Sequence, residues 1–260
     1  MRLWKNSFER VNNDCKISNK IRYRKFMLCL FKGGEGERKY MMKDYDVVLF
    51  DLDGTLVDTG LGITNSVMYS LKKFGIEVKE RQSLYKFVGP PLHKSFEKFY
   101  GFSSEKAMQA VEYYREYYKN KGIFEITVYN GIENLLKTLK STGKTLAVAT
   151  SKPEVFAKRI LKHIDFDKYF DIIAGANLDG TRTQKSEVVE YALKSCNATN
   201  LSKVVIIGDR EYDVYGAYTV GIDSVGVTFG YGNRAELENA GANYIADSAE
   251  NLIKLFTEDN

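Results

Sequence analysis

One short segment limits the possible folds of this chain more than any other. Residues 47–50 are Val-Val-Leu-Phe, and the chain continues directly into Asp-Leu-Asp-Gly-Thr at residues 51–55. A continuous apolar run of this length is typical of a parallel strand buried on both faces, and we predict a strand over Val47–Leu52. Such a strand needs helices on both sides of its sheet, and its carboxyl end would place carboxylates at the sheet edge.

The rest of the chain alternates between strand-like and helix-like patterns. Further strands are predicted at Thr145–Ala149, Asp171–Ala174, Val204–Ile207, Ser224–Val227 and Tyr244–Ala246. Helices are predicted at Gly60–Phe74, Gly131–Thr142, Pro153–Lys162, Lys185–Cys196, Asp213–Val220 and Ala249–Phe256. This order predicts an α/β fold, a doubly wound parallel sheet with helices on both faces.

Between residues 77 and 128 the alternation stops, and the pattern indicates helices only. We therefore predict a catalytic core at residues 44–76 and 129–260 with a small all-helical cap at 77–128. A helix predicted over Ser103–Lys121 carries four tyrosines, which either form its packing face or stack on a substrate. The loop Val88–Leu92 contains one glycine and two prolines, and it could be a rigid specificity loop or a plain interhelical turn.

Charge is distributed unevenly along the chain. The formal net charge is +4, but residues 1–43 hold 12 Lys/Arg against 4 Asp/Glu, which leaves 26 against 30 in the remainder. We interpret residues 1–43 as a basic leader that is disordered or not translated, because Met41 and Met42 directly precede the first strand. The alternative is an arm that contacts nucleic acid or anionic lipid. We expect no nucleic-acid partner.

Cysteine spacing and hydropathy give expectations about the compartment. Cys15, Cys29 and Cys196 form no CxxC pair, so neither a zinc site nor a disulfide framework is indicated. The longest apolar run, Phe26–Phe31, is far too short to span a bilayer, and the leader does not have the pattern of a signal peptide. We predict a cytoplasmic protein without a membrane partner, as a monomer or weak homodimer.

Chemically active side chains follow three of the predicted strands and open one helix. These residues are Asp51, Asp53, Thr150, Ser151, Lys185, Asp209 and Asp213. Ligands of open α/β sheets bind at the carboxyl ends of the strands, so these side chains should converge. Carboxylates packed together repel one another unless a cation neutralises them, and oxygen ligands of this kind suit Mg²⁺.

The same residues resemble the four sequence motifs of the haloacid dehalogenase (HAD) superfamily. The run at residues 51–55 is similar to the first motif, and Thr150, Lys185 and the pair Asp209 and Asp213 are similar to the next three. The motifs occur in the right order with gaps of 99, 35 and 24 residues, and the resemblance covers residue 46 to the C-terminus. It implies a HAD-like core with a helical cap of the smaller kind.

The resemblance also implies a catalytic role for the two aspartates of the first motif. Asp51 would attack phosphorus and form a phosphoaspartate. Asp53 would donate a proton to the leaving oxygen and later accept one from water. A haloacid dehalogenase is disfavoured because Asp53 is present.

The remaining motif residues would bind the metal and the phosphoryl group. Mg²⁺ would be held by the Asp51 side chain, the Asp53 backbone carbonyl and Asp209, with Asp213 bound directly or through water. Thr150 and the backbone at Ser151 would hydrogen-bond the phosphoryl oxygens. A lysine would neutralise the charge of that group.

The identity of this lysine is open in the sequence. Relatives often have it in a Lys-Pro-x-Pro setting, whereas this chain has Gln-Lys-Ser-Glu at residues 184–187. We favour Lys185, and Arg182 and Lys152 compete for the role.

Three segments indicate a branch of the superfamily. Residues 89–92, 149–153 and 208–213 resemble the 5′-nucleotidase-like branch of the phosphoglycolate phosphatase-like group. This implies a Mg²⁺-dependent phosphatase for a small phosphorylated metabolite, with nucleoside monophosphates preferred and phosphoglycolate as the alternative. A phosphomutase and a non-catalytic binding protein are further alternatives. Gly230–Gly232 resembles a loop of the phosphatase branch, or it is simply a turn.

Overall fold

The computed structural model describes residues 44–257, so the predicted leader at residues 1–43 lies outside the described residues. The strands of the described part are β1 (Val47–Phe50), β2 (Val57–Asp58), β3 (Thr127–Val128), β4 (Thr145–Pro153), β5 (Ile172–Ala176), β6 (Val204–Gly208), β7 (Asp223–Val227) and β8 (Tyr244–Ala246). Six of them form one parallel sheet in the order β5-β4-β1-β6-β7-β8. The other two, β2 and β3, form an antiparallel ribbon.

The helices connect these strands in chain order. They are α1 (Gly60–Lys73), α2 (Leu92–Tyr100), α3 (Ser104–Tyr118), α4 (Ile132–Ser141), α5 (Glu154–His163), α6 (Lys185–Ser195), α7 (Glu211–Val220), α8 (Arg234–Ala240) and α9 (Ala249–Thr257). Short 3₁₀ segments lie at Arg81–Phe87, Gly122–Phe124, Asp167–Tyr169 and Leu201–Lys203. No helix within residues 44–257 combines the length and the hydropathy that a membrane span requires.

Strand β1 shows why helices cover both faces of the sheet. Its four residues are all buried, and alternate side chains enter different apolar clusters. Val47 and Leu49 pack with residues of α6 and α7, whereas Val48 and Phe50 pack with residues of α4, α5 and α9. A polar residue on either face would therefore be buried, which explains the continuous apolar run. The predicted doubly wound parallel sheet is confirmed.

Three elements differ from the sequence-based expectation. Strand β4 continues past Ala149 to Pro153, because Pro153 pairs with Ala176 after an irregularity in the register. Helix α8 was not predicted, since it has seven residues and its apolar pattern is too short to identify. The ribbon of β2 and β3 was also missed, because each strand has two residues.

Helix α1 packs with the inserted helices. It contacts α3 and the 3₁₀ segments Arg81–Phe87 and Gly122–Phe124, and Ser70 Oγ donates a hydrogen bond of 2.7 Å to the carbonyl of Ala110. The predicted cap at residues 77–128 stays a prediction. Because α1 packs with the inserted helices, we propose that the helical unit also includes α1 and spans residues 60–126, called the lid below. Both chain crossings between lid and sheet then pass through β2 and β3, called the connecting ribbon.

Candidate active site

Three buried carboxylates meet at one edge of the sheet. Asp51 follows β1, Asp209 follows β6, and Asp213 lies in the first turn of α7. Strands β1 and β6 are parallel neighbours, so their carboxyl ends lie side by side. One oxygen from each carboxylate lies within 4.8 Å of the others, and we call these three residues the acidic group.

Lys185 brings a positive charge into the acidic group. Its Nζ lies 2.8 Å from Oδ1 of Asp51 and 2.8 Å from Oδ1 of Asp213, and it donates a hydrogen bond of 3.1 Å to the carbonyl of Ala149. Lys185 is the first residue of α6, whose start is fixed by the Glu187 carboxylate accepting the backbone N–H of Gln184. The start of α6 therefore directs the Lys185 ammonium toward the acidic group.

The two competing basic residues lie elsewhere. Arg182 forms an ion pair with Glu154, and its guanidinium lies 3.7 Å from the centre of the Tyr191 ring. Lys152 forms an ion pair with Asp53. The geometry therefore favours Lys185 as the lysine beside Asp51.

The electrostatics of this group follow from burial and crowding. Burial alone would lower the pKa of the Lys185 ammonium, but the carboxylates of Asp213 and Asp51 outweigh it and raise that pKa above its usual value. Burial, followed by the charges of Asp213 and Asp51, raises the pKa of Asp209 well above its ordinary range. Burial likewise raises the pKa of Asp213 to about 6, although Lys185 opposes this. The carboxylates of Asp209 and Asp213 are thus costly to ionise without a further cation.

The donor set suits a divalent metal ion. When ionised, three carboxylates and one ammonium leave two negative charges in excess. All the donors are oxygen atoms, as Mg²⁺ prefers. Asp209 is already oriented, because its Oδ2 accepts the backbone N–H of Tyr231 at 2.7 Å. The residues present therefore fit Mg²⁺.

Asp53 lies beside the acidic group but has its own partners. Its Oδ2 is 2.9 Å from Nζ of Lys152, and its Oδ1 accepts a hydrogen bond of 2.7 Å from the hydroxyl of Thr59. The Lys152 ammonium also donates to the hydroxyl of Tyr118, at 2.8 Å. Tyr118 belongs to α3, so a single lysine links Asp53 to the lid.

Thr150 and Ser151 lie in β4, the other neighbour of β1 in the sheet. Thr150 is buried, and its hydroxyl accepts the backbone N–H of Lys152 at 3.2 Å. Ser151 is half-buried. Both residues are therefore at the same sheet edge as Asp51.

Comparison with known proteins identifies the family. Residues 48–227 match the model of the haloacid dehalogenase-like hydrolase family. The chain belongs to this family.

The similar proteins include phosphatases and a protein named as a kinase. A Pseudomonas aeruginosa protein named 5′-nucleotidase is 43% identical over 206 residues, which are 79% of this chain and 93% of the relative. A crystal structure described as a predicted phosphatase from Clostridium acetobutylicum is 52% identical, with a TM-score of 0.79, and the match covers 84% of this chain and 100% of that chain. A Mycobacterium tuberculosis protein named tyrosine-protein kinase PtkA is 38% identical over 204 residues, 78% of this chain and 69% of the relative. The family match and the phosphatase relatives together show that this HAD-like hydrolase is a phosphoric monoester hydrolase.

Two glycines allow the backbone of this HAD-like hydrolase to approach Asp209. Gly54 has a φ of 87°, and a Cβ at this position would lie 2.2 Å from Oδ2 of Asp209. A Cβ at Gly230 would lie 2.2 Å from the carbonyl oxygen of Gly54. Any larger residue at either position would therefore displace the acidic group.

The sequence analysis missed several residues that hold the site together. The Tyr231 hydroxyl donates to Oδ1 of Asp58 and accepts the backbone N–H of Thr59 at 3.0 Å. Lys152 was considered only as a competitor of Lys185, and its pairing with Asp53 was not foreseen. For Tyr231 a signal existed, since it lies between two glycines in a loop that resembles the phosphatase branch.

Proposed function

We propose that this HAD-like hydrolase is a Mg²⁺-dependent 5′-nucleotidase that forms a phosphoaspartate on Asp51. The observation that carries the proposal is the position of Asp51, whose carboxylate lies among two further carboxylates and 2.8 Å from the Lys185 ammonium. A nucleophile at this point would approach a phosphoryl group between a metal ion and a fixed cation. The 5′-nucleotidase from Pseudomonas aeruginosa supports the substrate class.

The reaction proceeds in two steps at the same phosphorus atom. In the first, an Asp51 oxygen bonds to phosphorus, the bond to the nucleoside oxygen breaks, and Asp53 gives that oxygen its proton. In the second, water attacks the acyl phosphate, Asp53 takes a proton from the water, and inorganic phosphate leaves Asp51. The ionised Asp51 is then ready for another substrate.

Four residues would hold Mg²⁺, through the side chains of Asp51, Asp209 and Asp213 and the backbone carbonyl of Asp53. When bound, the ion supplies positive charge that offsets the charge of the phosphoryl oxygens. Lys185 contributes a second positive charge, since its neighbours keep it protonated. Thr150 and the backbone at Ser151 donate hydrogen bonds to the same oxygens, which lowers the barrier to transfer.

The base of the nucleotide would contact the lid. The four tyrosines of α3 are poor candidates. Tyr114 and Tyr118 are buried, and Tyr117 donates to Glu125 within the lid. The Tyr113 ring packs on Phe74. Tyr85 is 40% exposed, and its ring centre lies 6.3 Å from that of Tyr231, whose backbone N–H donates to Asp209. We therefore assign base stacking to Tyr85 rather than to the tyrosines of α3.

A substrate panel with chemical trapping tests this function. Phosphate release with Mg²⁺ is measured for AMP, GMP, CMP, UMP and phosphoglycolate, and a nucleotide should give the highest kcat/KM. Borohydride reduction during turnover should convert residue 51 to homoserine, detected by peptide mass, and Asp51→Asn is the matched control. Phosphoglycolate exceeding every nucleotide tenfold would overturn the substrate assignment alone. Absence of the homoserine peptide would overturn the intermediate.

Two other reactions need their own controls. A phosphomutase would return a phosphorylated isomer instead of inorganic phosphate, which product analysis detects. A kinase, as the name of the mycobacterial relative suggests for that protein, would transfer the phosphoryl group of ATP to tyrosine. If the chain is a phosphatase and not a kinase, incubation with labelled ATP should label no tyrosine of this chain or of an added protein substrate.

A further inference from the structure

Tyr231 contacts two regions that the proposed function treats separately. Its backbone N–H donates to Oδ2 of Asp209 at 2.7 Å. Its hydroxyl donates to Oδ1 of Asp58 and accepts the N–H of Thr59 at 3.0 Å. One residue therefore touches the acidic group with its backbone and the start of the lid with its side chain.

The residues held by this hydroxyl form the crossing from the sheet to the lid. Asp58 ends β2, and its Oδ1 also accepts the N–H of Gly60, the first residue of α1, at 2.8 Å. Thr59 donates its hydroxyl to Asp53 at 2.7 Å. A shift of the Tyr231 hydroxyl would therefore move the first turn of the lid and a contact of Asp53 together.

The loop around Tyr231 is held close to the acidic group. A Cβ at Gly230 would lie 2.2 Å from the carbonyl oxygen of Gly54, and a Cβ at Gly232 would lie 2.0 Å from that of Asp209. The Tyr231 ring also lies beside Tyr85 of the lid. With so little free space, a displacement of Asp209 would be transmitted to the loop instead of being absorbed.

We propose that Tyr231 is a positioning residue that couples divalent-ion binding at the acidic group to the position of the lid crossing, residues 58–60. The inference rests on the metal site of the proposed function and adds a connection from that site to the lid. Coupling of this kind is reciprocal, so a bound ion steadies the crossing and a fixed crossing strengthens ion binding. Asp53 is linked to the crossing by the hydrogen bond that it accepts from the Thr59 hydroxyl.

Amide hydrogen exchange without substrate tests the coupling independently of turnover. Mg²⁺ should slow exchange at residues 58–63 of the wild-type protein about tenfold, within the range of measured couplings between sites. Tyr231→Phe should reduce this protection to less than about twofold, because the backbone contact to Asp209 remains while the hydroxyl contacts are lost. The same variant should lower kcat/KM for AMP about tenfold, mainly through kcat, because Asp53 is misplaced when Thr59 shifts.

Tyr45→Phe is the matched control. The Tyr45 hydroxyl donates to the Asp223 carboxylate at 2.8 Å, next to the amino ends of the strands, so the variant loses the same kind of bond away from the site. It should keep both the Mg²⁺-dependent protection and the wild-type kcat/KM. If Tyr231→Phe does not fold, Asp58→Ala removes the acceptor of the same bond and should give the same loss of protection.

The outcomes separate this inference from the proposed function. Equal protection by Mg²⁺ in Tyr231→Phe and Tyr45→Phe would overturn the coupling. Mg²⁺-dependent hydrolysis by a wild-type protein whose crossing is not protected would overturn the coupling and leave the function intact. A wild-type protein with neither Mg²⁺-induced thermal stabilisation nor hydrolysis would overturn both.

Discussion

The Lys152 ammonium, on a side chain that is 7% exposed, lies 2.9 Å from Oδ2 of Asp53. It also donates to Tyr118 of the lid, so the lid and Asp53 share one cation. A buried charge is retained at a cost unless its partner is well placed, and removing one member of such a pair leaves the other uncompensated. The orientation of Asp53 therefore depends on a residue of β4.

The first prediction follows from this pair. Lys152→Met keeps most of the length of the side chain and removes its charge, so Asp53 loses its orienting partner. We expect kcat for AMP to fall about tenfold to a hundredfold with KM nearly unchanged, a part of what general acid–base catalysis contributes. The control is Lys158→Met, which removes the exposed ion pair with Glu154 and should leave kcat and KM unchanged. Equal kinetics for the two variants would contradict a role for Lys152.

The second prediction concerns Asp51, the proposed nucleophile. Asp51→Asn is nearly isosteric, but an amide cannot attack phosphorus, so turnover should be abolished. The fold should persist, because Lys185 keeps its contacts with Asp213 and Ala149. Circular dichroism and phosphate release with saturating Mg²⁺ check the two statements. Near wild-type turnover by this variant would exclude the phosphoaspartate.

The third prediction concerns the metal. EDTA should silence the enzyme, Mg²⁺ should restore it, and Ca²⁺ should be a poor substitute because it takes more ligands at longer distances. Mg²⁺ should also raise the melting temperature of the wild type and leave that of Asp209→Asn unchanged. In EDTA, Asp209→Asn should be at least as stable as the wild type, since it removes one of three crowded carboxylates. A variant that still responds to Mg²⁺ would remove Asp209 from the site.

The fourth prediction concerns base recognition. Tyr85→Ala should raise KM for AMP about tenfold or more, since stacking a base on an aromatic ring contributes about 1–3 kcal/mol. Phosphoglycolate has no ring, so its KM should not change. The control is Tyr113→Ala, because the Tyr113 ring packs on Phe74 within the lid. If Tyr113→Ala weakens AMP binding and Tyr85→Ala does not, the base lies elsewhere on the lid.

The fifth prediction concerns pH and a residue far from the site. Partial burial would raise the pKa of Asp171, but the Lys140 ammonium and the Leu146 N–H outweigh it and hold the pKa below its usual value. A lowered carboxyl pKa stabilises the fold above the unfolded pKa of about 3.9, and the stability is lost as pH falls through the folded pKa.

Denaturant unfolding of the wild type and Asp171→Asn checks this sign. Above about pH 5 the wild type should be more stable by about 1 kcal/mol or less, because the pair is exposed enough for solvent to screen it. The difference should vanish below the folded pKa. A difference that persists in strong acid would assign it to packing rather than to charge.

The position of the acidic group could be predicted from the sequence by two rules about parallel sheets. The apolar runs before Asp51 and Asp209 indicate buried strands, and the carboxyl ends of parallel strands meet at one edge. Lys185 was chosen from three basic residues through the resemblance to a family motif. The structure supplies the distances for that choice.

The partners of Asp53 could not be predicted in the same way. Lys152 reaches Asp53 because β4 continues past an irregularity in its pairing with β5, and no local pattern encodes that register. The apolar face of α1 indicates that one side of the helix is buried, but not which element covers it. Helix α8 and the connecting ribbon are too short to establish a period.

The connecting ribbon has a consequence for how such a protein can change over evolutionary time. Val57 pairs with Val128 and Asp58 with Thr127, so the chain leaves the sheet and returns to it at adjacent points. An insert whose two ends lie side by side can be exchanged for another helical cassette, or shortened to a turn, without moving the strands that carry Asp51 and Asp209. Substrate preference can therefore change when the helical insert is replaced, while the residues proposed for phosphoryl transfer remain on the parallel sheet.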